Sequence, residues 1–353
     1  MQRLLMKGNE AVAEAAIRAG CRHYFGYPIT PQNEIGAYMS KRMPQVDGVF
    51  LQAESEIAAV NMVLGASAAG ARAMTSSSSP GISLKTEGIS YLAGSDLPAL
   101  IVNIQRGGPG LGTIQPAQSD YNQATKAPGH GDLRLLVFTP STVQEMVDNV
   151  FQAFDLTEKY RMPGMLLCDG LLGQMMEPVT FPEIEPVPSQ KPWALTGHGN
   201  KRETNIITSL NLDPEACMQI NLARFERYAE VEKTQAKAES FMTEDADIVL
   251  VAYGACARIA RSAVTEARAQ GIKAGLLRPQ TVWPFPKEQL VAAAKNAAAL
   301  LTVEMSMGQM VDDVRLAIEH KKPVHFFGRT GGVVPTPNEV LEQIKIINGG
   351  AGS

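Results

Sequence analysis

Val49-Phe50-Leu51-Gln52-Ala53-Glu54-Ser55-Glu56-Ile57-Ala58-Ala59-Val60-Asn61 changes its periodicity midway. Val49–Gln52 is a short apolar run of strand length. From Glu56 onward, Ile57, Val60, Asn61 and Leu64 recur one turn apart, which predicts a helix over Glu56–Ala69. The same switch recurs on both sides of this stretch. Strand runs are expected at His23–Tyr27, Arg72–Thr75, Ala99–Ile104, Leu135–Phe138 and Met165–Cys168. Helical patterns at Glu10–Ala19 and Val143–Tyr160 alternate with them, the latter capped by Ser141 or Thr142. Alternation of this kind predicts βαβ units and a mostly parallel sheet covered by helices on both faces.

Beyond Glu177 the pattern lapses. Pro178, Pro182, Pro186, Pro188 and Pro192 read as an extended connector, and Asp213–Phe241 reads as a charged, solvated helix between two domains. A second α/β pattern starts at Asp247. It has strands at Ile248–Tyr253, Ala274–Leu277, Leu300–Glu304 and Val324–Phe327, and helices near Ala257–Gln270, Lys287–Asn296, Gly308–His320 and Asn338–Ile347. The expected organisation is a first domain over 1–176, a connector with a helix over 177–245, a second α/β domain over 246–348 and a flexible tail over 349–353.

Composition narrows the function classes. The 353 residues carry 32 Lys and Arg against 36 Asp and Glu, a net charge of -4, with no basic block. A nucleic-acid footprint is therefore not expected. Apolar runs are strand-sized, well short of the roughly 20 residues a membrane helix needs. No signal-peptide apolar region precedes Asn9 and Glu10, and the chain reads as cytoplasmic. Cys21, Cys168, Cys217 and Cys256 form no C-x-x-C pair, and the five histidines show no zinc spacing. A metal or cluster site built from this chain alone is not expected.

Four loops at the carboxyl ends of first-domain strands hold the residue types that bind and catalyse, where ligands of open parallel sheets bind. Gly26-Tyr27-Pro28-Ile29-Thr30-Pro31-Gln32-Asn33 sets the Thr30 hydroxyl between two prolines; either Thr30 or Asn33 could instead only cap the next helix. Gln52-Ala53-Glu54-Ser55-Glu56 brings two carboxylates to a helix start, a favourable place for dipole reasons alone. Glu56, however, precedes an apolar helix face into which it can turn, and a carboxylate buried there needs a partner. Thr75-Ser76-Ser77-Ser78-Ser79-Pro80-Gly81 offers hydroxyls either to a ligand or to a helix cap, without the P-loop pattern. Arg106-Gly107-Gly108-Pro109-Gly110-Leu111-Gly112-Thr113 opens a glycine-rich loop with a guanidinium suited to a carboxylate. Gly331-Gly332 in the second domain reads as a turn.

Taken together, Met6–Glu10, Gly26–Glu34, Gly48–Asn61, Met74–Tyr91, Arg106–Asp120 and Asp169–Pro178 make the chain resemble α subunits of thiamine-diphosphate-dependent 2-oxoacid:ferredoxin oxidoreductases, closest to the branched-chain, 2-oxoisovalerate type. The resemblance covers nearly the whole chain. It implies a pyrimidine-binding first domain and a second domain like the transketolase C-terminal domain. It places Glu56 against N1′ of the cofactor's aminopyrimidine, and Thr30 and Arg106 near the substrate carboxylate. Pro28, Ile29, Ser77, Ser78, Ser79 and Gly81 would line the cofactor pocket. Leu111 stands where the 2-oxoglutarate branch of the family has a polar residue, and so leans toward an apolar substrate tail.

The family's G-D-G…N motif for Mg²⁺ and diphosphate is absent. Cys168-Asp169-Gly170 is its nearest counterpart and lacks the first Gly. The resemblance thus implies that a β subunit brings the diphosphate site, Mg²⁺ and [4Fe-4S] clusters, alongside γ and ferredoxin-like subunits. The implied reaction is CoA-dependent oxidative decarboxylation of 3-methyl-2-oxobutanoate to acyl-CoA and CO₂, with ferredoxin reduced. Three other readings are a 2-oxoglutarate enzyme, a non-oxidative thiamine decarboxylase or synthase, which would normally carry the diphosphate motif in the same chain, and a non-catalytic flavodoxin-like binding module. In the last of these the four loops only cap helices.

Overall fold

The computed structural model describes residues 3–183 and 191–350. Pro186 and Pro188 of the expected connector, and Ala351–Ser353 of the expected tail, lie outside the described residues. In chain order the elements are β1 (Leu4–Lys7), α1 (Gly8–Arg18), β2 (His23–Gly26), α2 (Asn33–Arg42), β3 (Val49–Gln52), α3 (Glu56–Ala68), β4 (Ala73–Ser77), α4 (Ser79–Gly94) and β5 (Leu100–Gln105). There follow α5 (Tyr121–Thr125), β6 (Leu136–Phe138), α6 (Val143–Tyr160), β7 (Gly164–Asp169), α7 (Gly170–Gln174), β8 (Met176–Val179) and α8 (Pro214–Gln235). The last third holds β9 (Ala238–Phe241), β10 (Ile248–Val251), α9 (Gly254–Ala269), β11 (Ala274–Pro279), β12 (Thr281–Trp283), α10 (Lys287–Ala293), β13 (Ala299–Glu304), α11 (Met310–Ala317), β14 (Val324–Gly328) and α12 (Pro337–Gly350).

The first sheet runs β12-β6-β7-β5-β4-β2-β3 and is parallel except at β12. Strands β4, β5 and β7 are buried along their whole length, as expected where helices cover both faces. β3 is the edge strand, and Val49 and Leu51 remain exposed on it. The second sheet runs β14-β13-β10-β11-β9, parallel apart from its edge strand β9.

Four features depart from the expected organisation. The helix expected over Asp213–Phe241 ends at Gln235, and Ala238–Phe241 is strand β9, drawn into the second sheet by pairing with β11. Glu177–Val179, read as the start of the connector, belong to strand β8, which pairs antiparallel with β1 and places Pro178 opposite Leu5. β12, from the second α/β region, joins the first sheet beside β6 rather than its own. Such a pairing depends on distant chain segments and leaves no periodicity in so short a strand. Helix α12 runs on through Gly349 and Gly350, the start of the glycine-rich tail.

Contacts between the two sheets are polar as well as apolar. The fully buried Gln118 donates from Nε2 to the Tyr253 carbonyl (2.8 Å), and its Oε1 accepts from Met305 N (3.1 Å). Asp169 caps α7 through Leu171 N and Leu172 N, both at 3.1 Å, and also accepts from Ala255 N of α9 (3.1 Å). Arg278 reaches Glu145 of α6 with both η nitrogens (2.9 and 2.7 Å) and Glu239 of β9 with Nε (2.8 Å). Such buried bonds fix the relative placement of the two sheets, because breaking either partner strands a polar group.

Helices α3 and α4 pack closely because α4 turns glycine toward its neighbour. A Cβ built on Gly88 would lie 2.4 Å from Val60 Cγ1 and 2.9 Å from Cγ2. Gly88→Ala is therefore expected to overpack this contact and lower the unfolding free energy by about 1–3 kcal/mol. Chemical denaturation of the single variant and of Gly88→Ala/Val60→Ala checks this: the second change should recover part of the loss. Additive losses would show that the contact is not tight.

Candidate active site

The site is assembled at the carboxyl edge of the first sheet, where β2, β3, β4 and β5 hand the chain to loops. Ser55 sits at the N-cap of α3, and its hydroxyl accepts from Ala58 N (3.2 Å). With the cap supplied by Ser55, the flanking carboxylates divide. Glu54 is exposed, while Glu56 turns inward and is only 5% exposed. Opposite it stands the start of α4. A Cβ on Gly81 would meet Glu56 Oε1 at 2.5 Å and Ser77 Oγ at 2.0 Å, so the glycine makes room for both side chains.

Comparison with two other buried glutamates shows how unusual Glu56 is. Glu14 is held by Arg18, Arg42 and Tyr38; burial opposes its charge, but these donors outweigh burial and keep its pKa below the ordinary value. Glu304 accepts from Ser306 Oγ and from Gln309, Met310 and Val311 N–H groups at the start of α11. Among the described residues the Glu56 carboxylate accepts no hydrogen bond. Buried polar groups without partners are rare in folded proteins and mark positions awaiting a ligand or water. Ser77 Oγ and Ser78 Oγ are fully buried without partners. Ser78 is the N-cap of α4 yet makes no side-chain cap bond, so the capping alternative is not realised there.

The other two loops close around this edge. Thr30 precedes a cis peptide to Pro31, and its hydroxyl accepts from Asn33 Nδ2 (3.2 Å). The N-cap of α2 is Gln32, without a side-chain cap bond, so neither Thr30 nor Asn33 caps that helix. Pro28 lines a cleft of about 280 Å³ together with Tyr24, Tyr27, Asn33, Phe50 and Gln52. Arg106, 8% exposed, extends its guanidinium from Thr30 O to Leu111 O, both at 3.0 Å, and keeps a buried Nε without a partner. The arginine thus ties the Thr30 loop to the glycine loop while retaining an N–H for another acceptor. Leu111 is 80% exposed at the tip of that loop.

Two supports were not apparent from sequence. Asp120 Oδ2 accepts from Ser79 Oγ (2.6 Å) and Asn103 Nδ2 (2.9 Å), and Ser79 Oγ accepts from Arg106 N (3.0 Å). This binds the start of α4 to the start of the arginine loop. The Gly331–Gly332 turn also backs that loop: a Cβ on Gly332 would lie 2.4 Å from Gln115 Cβ and 3.0 Å from Thr113 Cγ2. Neither contact has a local signal, because each pairs residues far apart in the chain. Among the described residues no group of three or more His, Cys, Asp or Glu side chains is placed to hold a metal ion.

A largely buried glutamate whose carboxylate lacks a donor, beside unpartnered hydroxyls at the edge of a parallel sheet, is the setting of a cofactor-binding α/β enzyme, and these carboxyl and hydroxyl groups suit the polar ring of a pyrimidine such as that of thiamine diphosphate. The chain belongs to the family described as pyruvate flavodoxin/ferredoxin oxidoreductase, thiamine diphosphate-binding, which matches residues 14–243; residues 246–340 match pyruvate:ferredoxin oxidoreductase core domain II. It is 49% identical over 349 residues to the ketoisovalerate oxidoreductase subunit VorB of Methanothermobacter thermautotrophicus, covering 98% of both chains. To the 2-oxoglutarate synthase subunit KorA of the same organism it is 35% identical, over 97% of this chain and 98% of that one. Among solved structures, the 2-oxoglutarate:ferredoxin oxidoreductase from Magnetococcus marinus superposes with a TM-score of 0.89 at 27% identity over 98% of this chain. This chain spans 65% of that longer one.

The Asp120 bridge has a testable pH signature. Burial pushes its carboxyl above the ordinary value of 3.8, against the hydrogen bonds of Ser79 and Asn103. The folded form then holds its proton to higher pH than the unfolded form, so this group's contribution to stability falls as pH rises upward from 3.8. Asp120→Asn is expected to gain stability relative to the wild type as pH rises from about 4 to 7. Urea unfolding at several pH values measures it. A constant difference across that range would contradict the buried-charge account.

Proposed function

We infer that this chain is the subunit of a branched-chain 2-oxoacid:ferredoxin oxidoreductase that contributes Glu56 to a thiamine diphosphate site shared with a partner subunit. The observation that carries the reading is Glu56, a residue only 5% exposed whose carboxylate has no hydrogen-bond donor among the described residues. Supporting it are the family membership and the higher identity to a ketoisovalerate subunit than to a 2-oxoglutarate subunit, 49% against 35%. The division at about residues 1–176, 177–245 and 246–348 gives the pyrimidine-side work to the first region.

When bound, thiamine diphosphate supplies the nucleophilic carbon and the electron sink of oxidative decarboxylation. This chain's own part is orientation and proton control. Glu56 accepts or shares a proton at N1′ of the pyrimidine, in a pocket where exclusion of water strengthens the bond. Ser77, Ser78, Ser79, Gly81, Pro28 and Ile29 shape the wall beside it. The free Nε–H of Arg106, with Thr30 beside it, orients the substrate carboxylate; a hydrogen bond to a charged group contributes on the order of 1.5–3 kcal/mol. Leu111 stands at the loop tip, where an apolar substrate tail finds a neighbour.

Partner subunits complete the site in this reading. A β subunit supplies Mg²⁺, the diphosphate site and [4Fe-4S] clusters, with γ and ferredoxin-like subunits carrying electrons to ferredoxin and CoA accepting the acyl group. Exposed apolar side chains on the elements leaving the sheet edge support docking there, among them Ile57 (48% exposed), Leu84 (50%), Leu111 (80%) and Ile114 (56%). None of the described helices is long and apolar enough to cross a membrane. Four free cysteines, three of them buried, suit a reducing cytoplasm.

Two outcomes test this reading. Glu56→Gln keeps the side chain's shape, so the complex should assemble while kcat falls by about 10²–10⁴, the scale of a positioned proton-transfer group. Glu54→Gln, exposed, should do far less; equal turnover in wild type and Glu56→Gln would sink the assignment. In a substrate panel on the reconstituted complex, 3-methyl-2-oxobutanoate should exceed 2-oxoglutarate in kcat/KM by at least about tenfold, since each fitted methylene contributes roughly 1–3 kcal/mol. A preference for 2-oxoglutarate would favour the alternative that the KorA resemblance keeps open. The single chain without partners should show no turnover.

A further inference from the structure

One face of α4 carries Gly81, Lys85 and Gly88 at successive turns, toward α3. The two glycines let α3 approach, one beside Glu56 and the other against Val60. Between them Lys85 is fully buried, with 0% exposure. Its Nζ donates to the Glu56 carbonyl (3.3 Å), its one hydrogen bond among the described residues. An ammonium has three donors, so this cation is buried well short of saturation. The ionised group whose field acts on it is the Glu56 carboxylate.

Burying a lysine in this way is costly, and a fold retains it where its charge is used. Methionine or leucine would fill the same space between two apolar helices at no electrostatic cost. The ammonium is bonded to the backbone of the same residue whose carboxylate lacks a hydrogen-bond donor. We propose that Lys85 is a positioning residue of the Glu56 site, its buried ammonium holding the Glu56 backbone and serving as the counter-charge that keeps the side chain in place for the pyrimidine half of thiamine diphosphate. The proposal rests on the thiamine reading of Glu56 and adds a second residue to it. Lys85 itself touches neither substrate nor cofactor.

The consequences follow from charge. Burial lowers the Lys85 pKa to about 8, while the Glu56 charge acts to raise it. Below that pH the counter-charge is present; as pH rises through about 8 it is lost, and turnover should decline with it. Among the described residues, burial acts to lower the Lys85 pKa and the Glu56 charge acts against it.

Lys85→Met tests this in the reconstituted complex. The variant should assemble, keep its KM for the 2-oxoacid, lose at least about tenfold in kcat, and lose the alkaline decline near pH 8; one pKa unit corresponds to a tenfold change. A second readout needs no turnover. In the full chain with ¹³Cε-labelled lysine, the Lys85 signal should titrate near pH 8 and move to lower pH in Glu56→Gln, where the counter-charge is gone. Unchanged kcat and pH profile in Lys85→Met, or a Lys85 midpoint that ignores Glu56→Gln, would overturn the proposal. Should Lys85→Met fail to fold, the labelled Glu56→Gln comparison decides alone. The two readings separate cleanly: wild-type turnover in Glu56→Gln defeats the thiamine assignment, whereas loss of turnover there with an unaffected Lys85→Met defeats only the role of Lys85.

Discussion

A glutamate turned into the protein, only 5% exposed and without a hydrogen-bond donor on its carboxylate among the described residues, is the constraint around which the first sheet is organised. Glu56 stays buried because Ser55 takes the N-cap of α3 and Gly81 leaves room on α4. Were the helix capped by either glutamate, that side chain would face solvent and the site would be an ordinary helix start. The arrangement is destabilising in an isolated chain. Folded proteins tolerate such groups where binding uses them.

The loops around Glu56 are held by bonds that span large sequence distances. Arg106 joins the Thr30 loop to the glycine loop, Ser79 and Asp120 join that loop to α4, and the Gly331–Gly332 turn backs it from the second α/β region. Rigid support of this kind places functional groups within tolerances that loops alone do not reach. It also explains why the second region is firmly tied to the first, through Gln118, Asp169, Arg278 and strand β12.

Much of this was legible in the sequence, for reasons that can be named. Periodicity located β3 and α3 because one is a short apolar run and the other repeats every turn. The loops that gather at the sheet edge stood out through Pro, Gly and hydroxyl residues that serve no core. What escaped was non-local. β8 and β12 are strands of four and three residues, too short to show a period, and each is made by a partner far along the chain. Nothing local in the sequence marks Lys85 as buried, since it is covered only when Gly81 and Gly88 let α3 approach that face of α4. The Asp120 bridge likewise exists only once β5, α4 and the loop before α5 have been brought together.

The central claim is that Glu56 faces the pyrimidine of a thiamine diphosphate whose diphosphate end belongs to a partner. A structure of the assembled complex with thiamine diphosphate bound tests it most directly. The account predicts a Glu56 carboxylate oxygen within about 2.6–3.2 Å of a pyrimidine ring nitrogen, and no ligand from this chain on the Mg²⁺ ion. A cofactor seated with its pyrimidine away from Glu56, or with its metal held by this chain, would contradict it.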